Sequence, residues 1–512
     1  MPPIVLTPTA IELFAAASHD RNPLHGSPDY AHRTMYGKPV AYGALGLMAA
    51  LAHLPAATSI CINRIKANFH RPMFASAPYQ VDVIARADGG YSIRVRDGSL
   101  LVLSAVISLE AQADPPPLLI GKRPYAPREV ARKTELSLLE AGYAIDFSYV
   151  PTSEPFDRLF ELLELASRGI DPRTLIALMA CSYCVGMELP GELAIFSSLD
   201  LRFETTSIEG PPQMRAEVTS FDRRFERCSS LITFDGFAAR AHGTIDAFVR
   251  TASPWVDREL LENSITAADI SVDRLAVVVG ASRGLGASIA VALALRGYQV
   301  VALYARSQEQ AMRVAKLARG AMGAIHPMHV DASSPEACEQ LASTVASRWN
   351  RAIDLLVCSA APPLLPAAID SSHFARIQAF LASAFALVGA PMAAFLPQLA
   401  SSRGALTLIS SSAVNAAPAD WPHYVAAKSA TEALVRAASA AHPTVRFLIA
   451  RPPRLMTDYV SSLDGADALR VEPVADAIVS TSASMPPGVT VLENFAPRSE
   501  SRARTLASPT AT

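Results

Sequence analysis

Two regimes of hydrophobic patterning divide the chain. In the first half, apolar and polar residues alternate over short stretches: Ile60–Phe69, Tyr79–Arg86, Tyr91–Val95 and Leu100–Ala111. A period of two predicts half-buried antiparallel strands. They follow Val40–Leu54, which is apolar on most faces and predicts a buried helix. One helix and then several strands suggest a curved antiparallel sheet wrapped on that helix. The plan then recurs. A second apolar helix, from about Pro172 to Met187 with Asp171 as its N-cap, precedes strands near Gln213–Asp222, Arg227–Asp235 and Gly236–Val249. Ile62-Asn-Arg-Ile-Lys-Ala-Asn-Phe69 is echoed by Phe196-Ser-Ser-Leu-Asp-Leu-Arg-Phe203, and each follows a helix ending in Leu-Pro. A repeat of this size predicts two copies of one unit. Residues 124–150 carry no clear pattern and read as a connector.

Beyond residue 272 the period changes. Strands Leu275–Val279, Gln299–Tyr304, Ala324–Val330, Leu355–Cys358, Ala405–Ser410 and Val445–Ile449 are separated by helical stretches, among them Gln308–Arg319, Pro335–Trp349, Ser372–Leu399 and Tyr424–Ala441. Strand–helix alternation predicts a doubly wound parallel sheet. The expected organisation is thus multidomain, α+β followed by α/β: residues 1–123 and 124–253 as the two copies, 254–271 as a linker, 272–498 as the α/β domain and 499–512 as a flexible tail.

Composition narrows the function classes. The 512 residues are 50% hydrophobic and 18% charged, enough for two or three buried cores. A net charge of −2 with no basic tract argues against a nucleic-acid partner. The N-terminus, Met1-Pro-Pro-Ile-Val-Leu-Thr-Pro, lacks the charged-then-apolar plan of a signal peptide, and apolar runs such as Leu275–Leu295 are broken by Gly, Ser and Arg283, so no membrane span is expected. Six scattered cysteines suit a reducing cytoplasm, and Cys181-Ser-Tyr-Cys184 reads as buried small hydrophobes inside a helix.

The candidate chemistry of the first half sits on one loop. Asp20-Arg-Asn22-Pro23-Leu24-His25 follows an apolar helical turn ending at Ser18, and the Asn-Pro pair forces a turn that presents Asp20 and His25 together. A carboxylate beside an imidazole is an acid/base pair able to hold and activate one water. Alone, the loop reads as a capped turn with a satisfied histidine. Loop, hydrophobic helix and strands together resemble the MaoC-like, hydratase-2 group of hotdog-fold enzymes over roughly residues 1–110. The resemblance implies that Asp20 and His25 are catalytic and that the Gly43 backbone N–H contributes an oxyanion hole. Phe69-His70-Arg71-Pro72 sits where that family has a strand ending in a Phe-x-x-Pro turn. His19 stands in place of a small glycine and Tyr42 in place of a histidine, departures that bear on pocket width and substrate. At the same offset in the second copy stand Glu154 and Leu159, so that copy is expected to be non-catalytic, closing the sheet over an acyl tunnel.

In the second half, Gly280-Ala-Ser-Arg-Gly284-Leu-Gly286 lies between a strand and a helix. Glycines there let the backbone turn tightly and approach a pyrophosphate at a helix N-terminus. Tyr424 and Lys428 are four apart on one helix, so they face the same way, and a lysine cation favours the phenolate. Ser411 follows a strand thirteen residues earlier, with Ser410 and Ser412 as alternatives. These residues resemble the short-chain dehydrogenase/reductase superfamily and its Rossmann-type sheet. The resemblance implies a nicotinamide cofactor bound by Gly280, Ser282, Arg283, Gly284, Leu285, Gly286, Arg306, Asp331, Tyr424 and Lys428, with Ser411, Tyr424 and Lys428 catalytic. No acidic residue ends the second strand, whereas Arg283 and Arg306 suit a 2′-phosphate, which favours NADPH. The family's tetrad asparagine falls on Phe380, and its Asn-Asn-Ala-Gly on Cys358-Ser359-Ala360-Ala361.

Together the two resemblances imply a double hotdog followed by a reductase, and a bifunctional enzyme: reduction of a 3-oxoacyl thioester with NADPH, then dehydration of the (R)-3-hydroxyacyl product to the 2-enoyl thioester. The carrier would be acyl carrier protein or CoA, in fatty-acid-like or polyketide assembly. Running the pair backwards, in β-oxidation style, and a single active half beside a binding module are the competing readings. No metal is expected. A homo-oligomer through the reductase domain is what the second resemblance implies.

Overall fold

The computed structural model describes residues 2–56, 60–110, 118, 125–205, 211–250, 255–266, 270–271, 273–457 and 468–495. The expected domain boundaries at 123–124, 253–254 and 498–499 lie outside the described residues, as does the expected tail. The described residues form two compact units, residues 2–250 and 255–495.

In the first unit, strands β1 (Ile4–Val5), β2 (Ile62–Phe69), β3 (Pro78–Ala85), β4 (Tyr91–Asp97), β5 (Leu100–Leu109), β6 (Ala144–Ser148), β7 (Ala194–Thr205), β8 (Gln213–Asp222), β9 (Arg227–Gly236) and β10 (Ala239–Val249) form one antiparallel sheet. Its order is β1-β3-β4-β5-β2-β7-β10-β9-β8-β6. The two copies meet at β2 and β7, where Lys66 faces Asp200, its own counterpart in the sequence repeat. An element lying opposite its own repeat marks a local two-fold axis. Arg64 seals the joint with two hydrogen bonds to the Asp200 carboxylate, both 2.7 Å.

Each copy contributes one buried helix, and the two pack together: Gly43–Leu51 and Pro172–Tyr183. The second begins as expected, with Pro172 at its first position and Asp171 Oδ1 accepting from Arg173 N at 2.9 Å. It ends in a π-helical turn, Cys184–Glu188. Two features depart from the sequence reading. The patternless connector contains β6, which pairs with β8 at the sheet edge; five residues with Asp146 among them are too few to show a period. Glu154 and Leu159 lie on an amphipathic helix, Ser153–Leu162, with Leu159 buried, so the second copy has no loop matching that of Asp20 and His25.

The second unit is a parallel sheet of β11 (Arg274–Val279), β12 (Tyr298–Tyr304), β13 (Ala324–His329), β14 (Leu355–Cys358), β15 (Ala405–Ile409), β16 (Arg446–Ala450) and β17 (Gly488–Leu492), in the order β13-β12-β11-β14-β15-β16-β17. Helices Gly284–Leu295 and Val471–Ser484 cover one face; Pro335–Trp349, Phe374–Ser402 and Pro422–Ala441 cover the other. Strand order reverses between β11 and β14, and a ligand crevice belongs at such a switch point. The sequence reading did not extend to β17 or to its preceding helix. Phe374–Ser402 has the length and hydropathy of a membrane span. Its Val388, Met392, Phe395 and Leu399 nevertheless form a buried stripe in the core beneath the parallel sheet.

Candidate active sites

The Asp20 loop is built by caps. Helix Pro8–Ser18 ends with His19 in the left-handed conformation, φ 60°, which explains why a glycine suits that position. The His19 ring turns away to Val150 O (3.2 Å) and Thr152 Oγ1 (3.3 Å) and is not among the cavity-lining residues, so it does not narrow the pocket. Asn22 then works in both directions. Its Oδ1 accepts from Leu24 N at 3.0 Å, starting the short helix that carries His25, and its Nδ2 donates to Gly186 O at 2.9 Å in the second copy.

Asp20 is fully buried. Its Oδ1 accepts from Asn22 N at 3.1 Å and its Oδ2 from Ser182 Oγ at 2.7 Å. Burial pushes the carboxyl above the usual carboxylate range, against the opposing pull of His25, Ser182 and Asn22. Burial acts oppositely on His25, lowering the imidazole despite Asp20 and the Val40 carbonyl. His25 Nδ1 lies 2.7 Å from Val40 O, a bond that only the Nδ1–H form can donate, so Nε2 keeps its lone pair. Tyr42 clamps the loop: its hydroxyl donates to Asp20 O at 2.7 Å and its ring lies 4.0 Å from that of His25. The substituted tyrosine therefore orients the pair instead of obstructing it.

Asp20, His25, Gly43, Ser182 and Gly186 line one cavity whose remaining walls are largely apolar, with Phe69, Val102 and Leu103 from one copy and Ile195, Phe196 and Phe248 from the other. Gly43 is the first residue of its helix, where N–H groups lack intrahelical acceptors and Tyr42 supplies no side-chain cap. A Cβ at Gly43 would meet the Phe69 ring at 3.0 Å, and one at Gly186 would lie 2.5 Å from Asp20 Oδ1. Ser182 and Gly186 are cavity-lining positions beside Asp20 that the sequence reading passed over. The second copy, expected to be purely structural, supplies a hydroxyl to the acid/base pair. Ser182 stands between the two cysteines of Cys181-Ser-Tyr-Cys184, both fully buried; a serine in so apolar a helix needs a buried partner, and that need was the available signal.

In the second unit the glycine turn joins β11 to helix Gly284–Leu295, with Ser282 in the turn, Arg283 as N-cap and Leu285 buried. Gly280 has φ 80°, and a Cβ there would fall 2.8 Å from Ala360 N; one on Gly286 would strike Gly280 O at 2.2 Å. Only glycines close this turn, which leaves backbone open at a helix N-terminus, a cradle fit for a pyrophosphate. Arg306 is exposed just past β12. Asp331, just past β13, accepts from Ser333 N (2.9 Å) and Ser333 Oγ (2.6 Å), which holds its carboxyl below the usual range.

Tyr424 and Lys428 lie on helix Pro422–Ala441, with Lys428 Nζ 5.7 Å from the Tyr424 ring centroid. Lys428 Nζ donates to Ile409 O at 2.7 Å, two residues before Ser411. Desolvation lowers the half-buried ammonium to about 8, with Cys358 and Glu432 pulling the other way. Ser411 Oγ accepts from Ala413 N at 3.2 Å, while Ser410 Oγ is directed to Glu432 at 2.6 Å and is committed there. Of the three adjacent serines, Ser410 is thereby set apart from the substrate side. Phe380 packs edge-on against the His423 ring, centroids 4.5 Å apart, and brings no polar group to the place the resemblance gave to asparagine.

Residues 274–467 match the family described as short chain dehydrogenase, and residues 1–85 match the family described as MaoC like domain. Among curated relatives, an uncharacterized oxidoreductase of Mycobacterium tuberculosis (strain CDC 1551 / Oshkosh) is 29% identical over 202 residues, 39% of this chain and 75% of the relative. A glucose and ribitol dehydrogenase homolog of Oryza sativa subsp. japonica is 30% identical over 110 residues, 20% of this chain and 37% of its own length. Among solved structures, an alcohol dehydrogenase from Thermococcus sibiricus complexed with 5-hydroxy-NADP aligns at TM-score 0.40 and 26% identity, covering 43% of this chain and 95% of that one. Carveol dehydrogenase from Mycobacterium avium in complex with NAD aligns at TM-score 0.40 and 19% identity, with 43% and 96% covered.

Proposed function

We propose, for a chain that joins a MaoC-like segment to a short-chain dehydrogenase segment, that the second reduces a 3-oxoacyl thioester with NADPH and the first dehydrates the resulting (R)-3-hydroxyacyl thioester to the 2-enoyl thioester. The observation that carries the reading is the single cavity lined by Asp20, His25 and Gly43. Its walls are apolar enough for an acyl chain, with Asp20, His25 and Ser182 among its polar groups.

In the dehydration, opposite pKa displacements divide the work between acid and base. The His25 imidazole, kept neutral with Nε2 free, takes the C2 proton. The raised Asp20 carboxyl, in its protonated form, delivers a proton to the departing 3-hydroxyl, which leaves as water. Developing charge on the thioester oxygen is met by the Gly43 N–H at its helix start. The reverse reaction has Asp20 as carboxylate and adds the water back.

In the reduction, a bound nicotinamide cofactor would supply the hydride. Tyr424 donates its phenolic proton to the carbonyl oxygen and Ser411 Oγ orients that oxygen. Lys428, charged below about pH 8, favours the phenolate that remains. The glycine turn from Gly280 to Gly286 would hold the pyrophosphate, and Arg283 and Arg306, with no acidic residue closing β12, would accept a 2′-phosphate. Asp331 is assigned to the adenine side. The solved relatives named above were determined with 5-hydroxy-NADP and NAD.

The acyl group would arrive on acyl carrier protein or CoA, in fatty-acid-like or polyketide assembly. We place the enzyme in a reducing cytoplasm, where six free cysteines persist, and as a homo-oligomer through the reductase helices. The test is paired. Tyr424→Phe is expected to end NADPH consumption with an acetoacetyl thioester and to leave crotonyl-thioester hydration intact, while Asp20→Asn is expected to do the opposite. A wild type that hydrates crotonyl thioester but oxidises NADPH with no 3-oxoacyl thioester would refute the bifunctional reading.

A further inference from the structure

One ion pair of the second unit, between a buried carboxylate and a half-buried guanidinium, has no part in the chemistry above. Glu432, one helical turn beyond Lys428, is only 5% exposed. Arg451, just past β16, chelates it: Nε donates to Oε1 at 2.8 Å and a terminal nitrogen to Oε2 at 2.6 Å. Arg451 continues to Glu493, just past β17, at 2.5 Å. Glu432 Oε1 also accepts from Ser410 Oγ at 2.6 Å, while Lys428 Nζ donates to Ile409 O at 2.7 Å. Ile409 and Ser410 are the two residues immediately before Ser411. They are therefore gripped by Lys428 and Glu432, one turn apart on the helix that carries Tyr424. Two such bonds fix both the height and the rotation of that helix against the strand end.

A buried ion pair is a costly way to fasten a helix, since apolar residues of like volume hold as well with no desolvation penalty. What apolar residues do not provide is a negative charge one turn from the Lys428 ammonium. We propose that Glu432 is a positioning residue of the reductase site: clamped by Arg451, it holds Ser410 and thereby keeps Ser411 in register with Tyr424 and Lys428, at a site where Phe380 supplies no polar group. This rests on the reductase reading given above.

The charged and titratable groups around the pair act with definite signs. Lys428 is faced by Cys358 at the end of β14 and, from its own helix, by Tyr424 and Glu432. Glu432 is faced by Arg451, by Arg436 of its own helix at 3.6 Å and, beyond Arg451, by Glu493. Removing the Glu432 charge lowers the Lys428 ammonium further, and Arg451, then balanced by Glu493 alone, pushes in the same direction. Activity that needs that ammonium is then lost at lower pH.

The experiment uses the full chain, with NADPH consumption on an acetoacetyl thioester, NADPH binding followed by cofactor fluorescence, and thermal unfolding, each from pH 6 to 9.5. In Glu432→Gln the alkaline limbs of kcat/KM and of NADPH affinity should move down by about one pH unit, so that the loss is roughly tenfold at pH 8.5 and small at pH 6.5. Glu432→Asp should recover much of it. Ser410→Ala, which leaves the ion pair in place, should lower kcat more than it raises KM without moving the limb, and it keeps the proposal open to test should Glu432→Gln fold poorly. A loss uniform across pH that follows a drop in melting temperature, or no loss, would overturn the proposal. A wild type that binds NADPH but turns over no thioester defeats the reductase reading alone, because the pH dependence of binding still reports on Glu432.

Discussion

Ser182 shows how much of a two-residue acid/base pair depends on a third group. Its hydroxyl is the one side-chain hydrogen bond found on the Asp20 carboxylate among the described residues, at 2.7 Å, and both partners are buried. Hydrogen bonds to a charged group are worth about 1.5–3 kcal/mol, or roughly one to two pH units in the acceptor. Ser182→Ala removes a bond that favours the ionised form, so the Asp20 pKa rises further. In the proposed mechanism hydration requires Asp20 as carboxylate, and its acidic limb should accordingly move to higher pH by about one unit, read from kcat/KM for crotonyl thioester between pH 5 and 8. A limb that stays in place would show that Ser182 only fills space. Asp20 and His25 could be singled out from sequence because an Asn-Pro turn brings them together within six residues and the surrounding segment resembles the MaoC-like group. Ser182 could not, because its partner lies 162 positions away and no local pattern records such a distance.

At the scale of elements, the legible parts were those with a long period or a strong cap. The helix from Pro172 declares itself through Asp171, and the strands flanking each core helix through alternation. Edge strand β6 does not declare itself, and the hairpin between β9 and β10 is legible from its two strands though not from its turn residues. That hairpin turns through Phe237 and Ala238, both with φ near 57–58°, where the usual signal is Asn-Gly. Sheet pairing on both sides forces the turn on residues that do not prefer it. Helix Phe374–Ser402 presents a different problem, since its composition fits core, membrane span and interface alike. Val388, Met392, Phe395 and Leu399 settle one face as core, yet Phe374 and Phe385 remain 58% and 44% exposed. We expect those side chains to be covered by a second copy of the chain. Light scattering should then give an oligomer for the wild type, and Phe385→Glu should weaken it by at least tenfold in dissociation constant; a monomeric wild type at micromolar concentration would count against the assembly.

At the scale of the whole molecule, the described residues form two compact units, and the change of period falls between them, whereas the contact of Ser182 in one copy with Asp20 in the other has no counterpart in the pattern. The proposed pairing of two activities on one chain would also have a kinetic signature. Tyr424→Phe and Asp20→Asn chains mixed in equal amounts hold both activities but must pass the 3-hydroxyacyl intermediate through solution. Conversion of acetoacetyl to crotonyl thioester should show a lag that lengthens on dilution of the mixture and stays shorter in the wild type; equal lags would mean that the covalent link gives no kinetic benefit. The central pair of the sheet carries a last consequence. Lys66 facing Asp200 is the point about which two identical chains would have been related by symmetry, each lending a helix to the other's site. Once both copies are encoded in one chain, a substitution is made once and not twice. Ser182 and Gly186 of the second copy accordingly stand at the carboxylate of Asp20, while that copy carries an amphipathic helix, Ser153–Leu162, and no loop of its own matching that of Asp20 and His25. Separating the two copies would take the Ser182 hydroxyl from Asp20 and leave neither half with the full set of groups that line the cavity.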